Sequence, residues 1–426
     1  MDKLKLSNLL PSGADYQELK QQESRTQAYV MLDGILIRNS VSSNGGLMAR
    51  AFNSGVWGLA SSPLMNGSAC AQVMRQAVAN AGQLAGYYSK NMPGLPSNPA
   101  SGAHLLFTPK PRWTTAEKIA LITALDEYIR QHCPKVSSRT ITLAQDDTEK
   151  NIVCSAGGEM HTMIPRSILY IMLVINTDAN PVQHWDVFGG CGEIEDIIQP
   201  PEHYYPEIDR IYRQLLDKLD AVEPRGGNFD CVLASKLAGI LAHEAIGHTT
   251  EADFVLNGSI AGEYLHQAVA SPLVNLLDVA HTWQGKMCPV PVFIDDECTA
   301  AEDCLIIENG VLQRYMHNKE SAALLGHQLT GNARAYAYGD EPLIRMRNTM
   351  IVPGTSQLED MIASIEDGYY LVESSNGQAD ATSEFMFGIG LGYEIKHGKL
   401  GKAIKETTIS GMGGPAIKCR VNMGGV

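Results

Sequence analysis

Residues 241–248 read LAHEAIGH, and they end a run of apolar residues with helical spacing. The segment places two imidazoles and a carboxylate within six residues. Neutral imidazole is a common zinc ligand, and a Glu beside the coordinated water is the usual general base of a metallopeptidase. A pair of hydrogen-bonded core histidines is the structural alternative, but three polar groups in so apolar a segment all need partners. The pattern therefore favours a metal site.

The spacing of the two histidines carries a structural prediction as well. His243 and His248 are five residues apart, whereas the common His-Glu-x-x-His motif separates its histidines by four. Five residues of regular α-helix turn the second side chain roughly 140° away from the first. Both rings can reach one ion only where the helix opens by one residue, through a π-bulge or a break. Gly247, a weak helix former, marks the place, so the motif predicts a distorted helix.

The length of the chain, 426 residues, favours two domains. We place their boundary at the turn-forming run 224–227, Pro-Arg-Gly-Gly, so that the domains comprise residues 1–224 and 225–426. The first is predicted to be an α+β domain with a mixed α/β-sheet. In the second, short strands separated by turn signals recur from Val290 onward and predict an antiparallel, β-barrel-like sheet that follows the His-Glu motif helix.

Local signals predict several individual elements. Two apolar runs around Asp33-Gly34 indicate a β-hairpin, and Thr114 followed by Glu117 indicates the capping box of a helix. A charged helix is predicted over 206–222. A further helix is predicted over 230–242, leading directly into the histidine motif.

The composition disfavours several classes of function. A net charge of −14 repels phosphate backbones, which argues against direct nucleic-acid binding. The apolar runs are too short to span a bilayer, and the N-terminus has no signal-peptide pattern, so no membrane association is expected. Nine cysteines without paired spacing fit reduced thiols. We therefore expect a cytoplasmic protein.

The run HEAIGHTTEADF at residues 243–254 closely resembles the signature of the TldD/PmbA family, metallopeptidases once named modulators of DNA gyrase. The resemblance extends to further segments along nearly the whole chain, among them residues 294–297, 307–310, 330–334 and 345–349. It implies an N-terminal α+β domain, a C-terminal β-barrel-like domain and a dimer with an enclosed active site. The PmbA (TldE) branch lacks the His-Glu motif, so this chain resembles the catalytic TldD branch.

The resemblance also implies a set of site residues. Zinc would be held by His243, His248 and Cys419, with Glu244 as the general base for the zinc-bound water. Cys419 lies in the context Ile-Lys-Cys-Arg rather than in the Gly-Met-Cys-Gly-Lys-like context of the family. The alternatives for the third ligand are therefore Glu251 and Asp253, since oxygen ligands of zinc are chemically ordinary.

The expected function is a zinc-dependent peptidase that acts on extended or unfolded peptides. The family's association with leader-peptide removal and with breakdown of small unstable proteins fits this expectation, and the partner would be a second copy or a PmbA/TldE-like subunit. A non-catalytic scaffold or regulatory partner of such a complex is the alternative. The sequence does not single out a donor for the reaction's oxyanion; the polar candidates, each of which also suits a structural role, are His317, Arg334, Tyr338 and Asn348.

Overall fold

The first half of the chain is built on a long β-hairpin. Strands β1 (Tyr16–Leu32) and β2 (Ile35–Asn53) pair antiparallel along nearly their whole length. Asp33 and Gly34 form the turn with φ of 50° and 83°, the left-handed conformations that such a tight turn requires. The predicted hairpin is thus confirmed. The structure, a computed structural model, describes residues 13–88, 92–379, 384–412 and 421–424.

The hairpin belongs to a seven-stranded sheet with the order β3-β2-β1-β5-β6-β4, in which β7 also pairs with β6. Helices α2 and α4 pack their apolar residues on β5 and β6, while α1 covers β1 and β2. The capping box of Thr114 and Glu117 is present at the start of α2, as predicted. The further elements of this half are β3 (Val56–Ser62), α1 (Gly67–Tyr88), β4 (Ser101–Leu105), α2 (Thr115–His132), β5 (Ser138–Cys154), β6 (Glu159–Ile175), β7 (Val182–Cys191), α3 (Ile194–Ile197) and α4 (Tyr205–Leu219).

The second half contains shorter elements. The first of them corrects a prediction, because residues 230–233 belong to a strand, β8, and not to the helix predicted over 230–242. These residues pair in parallel with residues 368–371 of β17, and only afterwards does α5 begin. The elements are β8 (Gly227–Leu233), α5 (Ser235–Leu241), α6 (Ala252–Leu256), β9 (Leu276–Val279), β10 (Thr282–Trp283), β11 (Lys286–Met287), β12 (Cys304–Glu308), β13 (Val311–Leu312), α7 (Lys319–Leu325), β14 (Ala333–Arg334), β15 (Leu343–Ile344), β16 (Asn348–Ile351), α8 (Leu358–Ala363), β17 (Asp367–Ala379), β18 (Glu384–Lys396), β19 (Lys399–Ile404), β20 (Thr407–Met412) and β21 (Val421–Gly424).

Two sheets of the second half enclose the motif helix. One has the order β13-β12-β9-β16, and the other has the order β17-β8-β21-β20-β18-β19 with an additional pairing of β17 and β18. Leu237, Leu241 and Ile246 pack against residues of both sheets, including Leu276 and Phe387. The fold is a mixed α/β fold. The barrel-like form of the second half and the domain boundary after residue 224 stay predictions.

The two halves are joined through a buried acidic segment, residues 295–297. The guanidinium of Arg50 on β2 forms ion pairs with Glu18, at 2.9 Å, and with Glu297. Lys150 on β5 binds Asp296, with 2.7 Å between Nζ and Oδ2. These pairs fix the first sheet against the second half of the chain. Among the described residues no helix is long and apolar enough to cross a membrane.

Candidate metal centre

The helix that carries the motif changes its geometry at the histidines. Regular α-helix ends at Leu241, residues Ala242–Gly247 form a π-helical turn, and residues His248–Thr250 continue as a 3₁₀ turn. The backbone N–H of His248 donates to the carbonyl of His243, which is the five-residue hydrogen bond of a π-helix. The distortion predicted from the five-residue spacing is confirmed.

The π-helical turn brings the two imidazoles together. Their ring centroids lie 4.8 Å apart, with the ring planes almost perpendicular. Glu244 joins them, since its Oε2 lies 3.9 Å from Nε2 of His248. One ligand atom from each of the three residues falls within 4.8 Å of the others, and no other such His/Cys/Asp/Glu group occurs within the described residues. Three donors that suit zinc therefore converge at one point of the surface.

Glu251 fixes the orientation of one histidine. Its Oε2 accepts a hydrogen bond from Nδ1 of His248 at 3.2 Å, while Nε2 faces Glu244. A carboxylate on the far nitrogen of a metal-binding imidazole selects the tautomer and increases the basicity of the other nitrogen. Glu251 is only 4% exposed, and this hydrogen bond raises the pKa of His248. Partial burial of the ring and then the neighbouring His248 lower the pKa of His243, which favours its neutral, metal-binding form.

Gly247 is closely packed on the other side of the turn. A Cβ at this position would overlap Sδ of Met346 and would lie 3.3 Å from the carbonyl oxygen of Ala242. The hydroxyls of Thr249 and Thr250 each donate to the carbonyl of Ile246 at 2.9 Å, and so satisfy an acceptor near the end of the helix. These hydrogen bonds help to stabilise the end of the π-helical turn.

Comparison with known proteins agrees with this geometry. The family model for the PmbA/TldA metallopeptidase C-terminal domain matches residues 226–418, which include the whole motif. The chain is similar to a metalloprotease TldD homolog of Haemophilus influenzae, with 28% identity over 94% of this chain and 83% of that protein. The chain is thus similar to the TldD/PmbA family over nearly its whole length.

Further comparisons show the same similarity. A zinc metalloprotease TldD homolog of Saccharolobus solfataricus is 34% identical over 48% of this chain and 45% of that protein. The chain spans less than half the length of several curated relatives that it matches. The crystal structure of TldE from Thermococcus kodakarensis shares the fold, with a TM-score of 0.77 and 15% identity over 96% of this chain and 91% of that chain.

The candidates for a third ligand have different positions. Cys419 lies outside the described residues. Glu251 binds Nδ1 of His248, on the side of the ring away from Glu244. Asp253 accepts a hydrogen bond from the backbone N–H of Phe254 at 3.0 Å and is not part of the converging group.

The four candidates for the oxyanion donor also differ. His317 is buried, and its ring nitrogens bond to Ser321 and His327. The side-chain amide of Asn348 donates hydrogen bonds to the backbone carbonyls of residues 279 and 290. Tyr338 packs against Gly46 on the first sheet. Arg334 is the candidate joined to the motif, because it donates to the carbonyl of Met346, whose side chain packs on Gly247.

Sequence reasoning missed a cleft beside this site. A cavity of about 470 Å³ lies between the first sheet and the segments 290–296, 334–338 and 345–347. Met346 belongs to its lining and also contacts the π-helical turn at Gly247. Two arginines line it, Arg334 and Arg345. The sequence singled out Arg334 only as a candidate oxyanion donor and Arg345 only as part of a family match, since nothing local indicates that they line a cleft.

Proposed function

We propose that this protein is a zinc-dependent metallopeptidase that hydrolyses extended or unfolded peptides. The observation that carries the proposal is the convergence of His243, Glu244 and His248 at a π-helical turn. A π-turn inside a helix is uncommon and is frequent at functional sites, and here it places donors together that a regular helix would separate. The names of the TldD relatives as metalloproteases, one of them a zinc metalloprotease, support the same reading.

The residues present fit a zinc ion. His243 and His248 would supply two imidazole nitrogens, and Cys419 the third ligand. Glu251 is engaged with Nδ1 of His248, which suits a residue that orients a ligand. Zinc bound there would lower the pKa of a coordinated water and polarise the scissile carbonyl.

Glu244 is the residue that we assign to proton transfer. Its carboxylate lies beside the two imidazoles, where it can accept a proton from the attacking water and pass it to the leaving amine. We assign it this role rather than that of a ligand because the same side chain cannot serve both functions in one step. The water oxygen bonds to the scissile carbonyl carbon, the C–N bond breaks, and the proton that Glu244 accepted goes to the leaving amine.

The strand beside the turn supports a substrate in extended conformation. Within the described part of the chain, β16 pairs on one side only, with β9, and it packs against the π-helical turn. A peptide can add to such an edge through its backbone, which gives affinity with little demand on side chains. Leader peptides and small unstable proteins are extended substrates of this kind.

A dimer is part of the proposal. The β1–β2 hairpin exposes apolar side chains beyond the first sheet, among them Ile35, Ile37 and Val41, at 67%, 57% and 76% exposure. Such a patch is typical of an interface with another chain. The partner would be a second copy or a TldE-like subunit, as the fold shared with TldE suggests.

Substitution of Glu244 tests the catalytic proposal. With zinc supplied, Glu244→Gln should keep its zinc content, because both imidazoles remain. It should lose hydrolysis of an unstructured peptide by at least about a hundredfold, since the general base is removed. The measurements are zinc per chain by elemental analysis and peptide cleavage by mass spectrometry, on the full chain.

The native protein and His248→Ala complete this experiment. The native protein should cleave the peptide and stop when a chelator removes the metal, and His248→Ala should lose both zinc and cleavage. Full activity in Glu244→Gln would remove Glu244 from the mechanism. Zinc binding without any cleavage by the native protein would instead favour the non-catalytic scaffold.

A further inference from the structure

The cleft beside the candidate metal centre carries more positive than negative charge, although the chain as a whole is acidic. Its lining includes six cationic side chains but only three carboxylates, those of Asp146, Asp147 and Asp296. The cations are Arg25, Lys150, Arg166, Arg334, Arg345 and Arg347. Such a local excess in a chain of net charge −14 attracts anionic groups to this surface.

Four of these cations have carboxylate partners in the protein itself. Their charges are therefore matched before any ligand arrives. The pairs and their N–O distances are Lys150 with Asp296 at 2.7 Å, Arg347 with Asp278 at 2.8 Å, Arg25 with Glu149 at 3.1 Å and Arg166 with Asp146 at 3.9 Å.

The other two, Arg334 and Arg345, form no ion pair with any described residue. Arg345 is exposed, whereas Arg334 is partly buried and its Nε is a fully buried donor without a hydrogen-bond acceptor in the described structure. A guanidinium held away from water without a carboxylate costs free energy that a bound anion would offset. Burial lowers the pKa of Arg334, which agrees with an incompletely compensated charge.

Arg334 is also connected to the candidate metal centre. Its Nη2 donates to the carbonyl oxygen of Met346, and the thioether of Met346 packs against Gly247 in the π-helical turn. Arg334 is thus connected to the π-helical turn through one residue, Met346, which also lines the cleft.

From these observations we infer that Arg334, assisted by Arg345, binds a carboxylate of the peptide substrate and so selects anionic peptides. This inference rests on the proposed peptidase function and adds a substrate class to it. Guanidinium groups pair with carboxylates through parallel hydrogen bonds, so the selection is geometric as well as electrostatic. The carboxylate is either an Asp or Glu side chain or the free C-terminus of the peptide.

Binding to a variant that cannot cleave tests the inference without relying on turnover. Zinc-loaded Glu244→Gln is titrated with four fluorescent peptides that differ only in one group. The first pair compares a peptide that ends in a free carboxylate with one that ends in a carboxamide. The second pair has blocked ends and compares a peptide containing an internal Asp with one containing Asn at the same position. We expect that in one pair the peptide with the carboxylate binds at least about tenfold more tightly than its neutral counterpart. The pair that shows this difference identifies the source of the carboxylate.

Arg334→Met in the same background should abolish this preference while leaving the Kd of the neutral peptides within about twofold. Arg213→Met is the matched control, since it removes an exposed arginine of α4 and should leave the preference intact. Equal affinity within both pairs, or a preference that survives Arg334→Met, would overturn the inference. Absence of cleavage by the native zinc-loaded protein would overturn the proposed function instead.

Two further measurements separate substrate binding from other roles of Arg334. Because the buried charge lacks a carboxylate partner, Arg334→Met should keep or raise the melting temperature, and a clear drop would show a structural role. In the cleaving protein, Arg334→Met should raise KM for the anionic peptide and leave kcat largely unchanged. A loss of kcat that is equal for anionic and neutral peptides would mark an oxyanion donor and contradict selection by carboxylate.

Discussion

At the scale of single residues, the site depends on a carboxylate that does not join the converging group. Glu251 lies on the far side of His248 and accepts a hydrogen bond from Nδ1 at 3.2 Å. Nε2 of His248 therefore faces Glu244 and the candidate metal centre. Burial of Glu251, at 4% exposure, makes this hydrogen bond stronger than one at the surface. The orientation of His248 thus depends on a residue three positions further along the chain.

Replacement of this carboxylate should weaken the metal site without destroying it. Glu251→Gln should reduce zinc affinity by about 10- to 100-fold, the usual effect of losing the partner of a metal-bound imidazole. The measurement is competition for zinc with a chromophoric chelator. Asp253→Asn, which changes the nearby acid outside the converging group, is the matched control and should bind zinc like the native protein. Complete loss of zinc in either variant would make that residue a ligand.

The three converging residues could be predicted from the sequence, but the contact of Glu251 with His248 could not. His243, Glu244 and His248 stand out because three polar groups occur in an apolar segment at unusual spacing. Glu251 was visible only as an alternative third ligand. Whether an acid binds the metal or the histidine beside it depends on which ring nitrogen it faces, and local sequence does not encode that orientation.

At the scale of elements, the π-helical turn is the feature that the site requires. Gly247 packs so closely on Met346 that a methyl group has no room unless the Met346 side chain shifts, whereas Gly239 in α5 has open space at the position of a Cβ. The two glycines lie on the same helical segment, eight residues apart. We therefore expect opposite effects on stability when each of them is replaced by alanine.

Gly247→Ala should lower stability and disturb zinc binding, whereas Gly239→Ala should do neither. Overpacking at residue 247 costs about 1–3 kcal/mol, because either Met346 or the turn must shift. Alanine at residue 239 should stabilise the helix by about 0.5–1 kcal/mol through its better propensity. Thermal unfolding and zinc content measure both effects. Similar stability and zinc content in the two variants would show that the turn tolerates a side chain at residue 247.

Element prediction succeeded where the signal was local and failed where it was not. The Asp33-Gly34 turn, the capping box of Thr114 and the distortion at the motif follow from adjacent residues. The start of the motif helix did not follow from adjacent residues, since residues 231–233 are a short apolar run that suits strand or helix equally. Their pairing with β17, more than a hundred residues later, decides the outcome.

At the scale of the whole molecule, the cleft exists because two halves of the chain are held together by buried charges. Arg50 binds Glu18 and Glu297, and Lys150 binds Asp296. Although burial raises the pKa of Asp296, Lys150 and Lys20 outweigh it and keep this pKa below its usual value. The acidic run was recognisable in the sequence only as part of a family match. Its partners lie in strands over a hundred residues earlier, so no local pattern could reveal them.

The location of zinc in the native protein tests the central claim most directly. An anomalous-difference map at the zinc absorption edge, recorded from crystals of the full chain with zinc, should show one strong peak at the π-helical turn. The peak should lie about 2.0–2.1 Å from one ring nitrogen of His243 and one of His248. A map without a peak there, or histidine rings that point apart on a regular α-helix, would contradict the account.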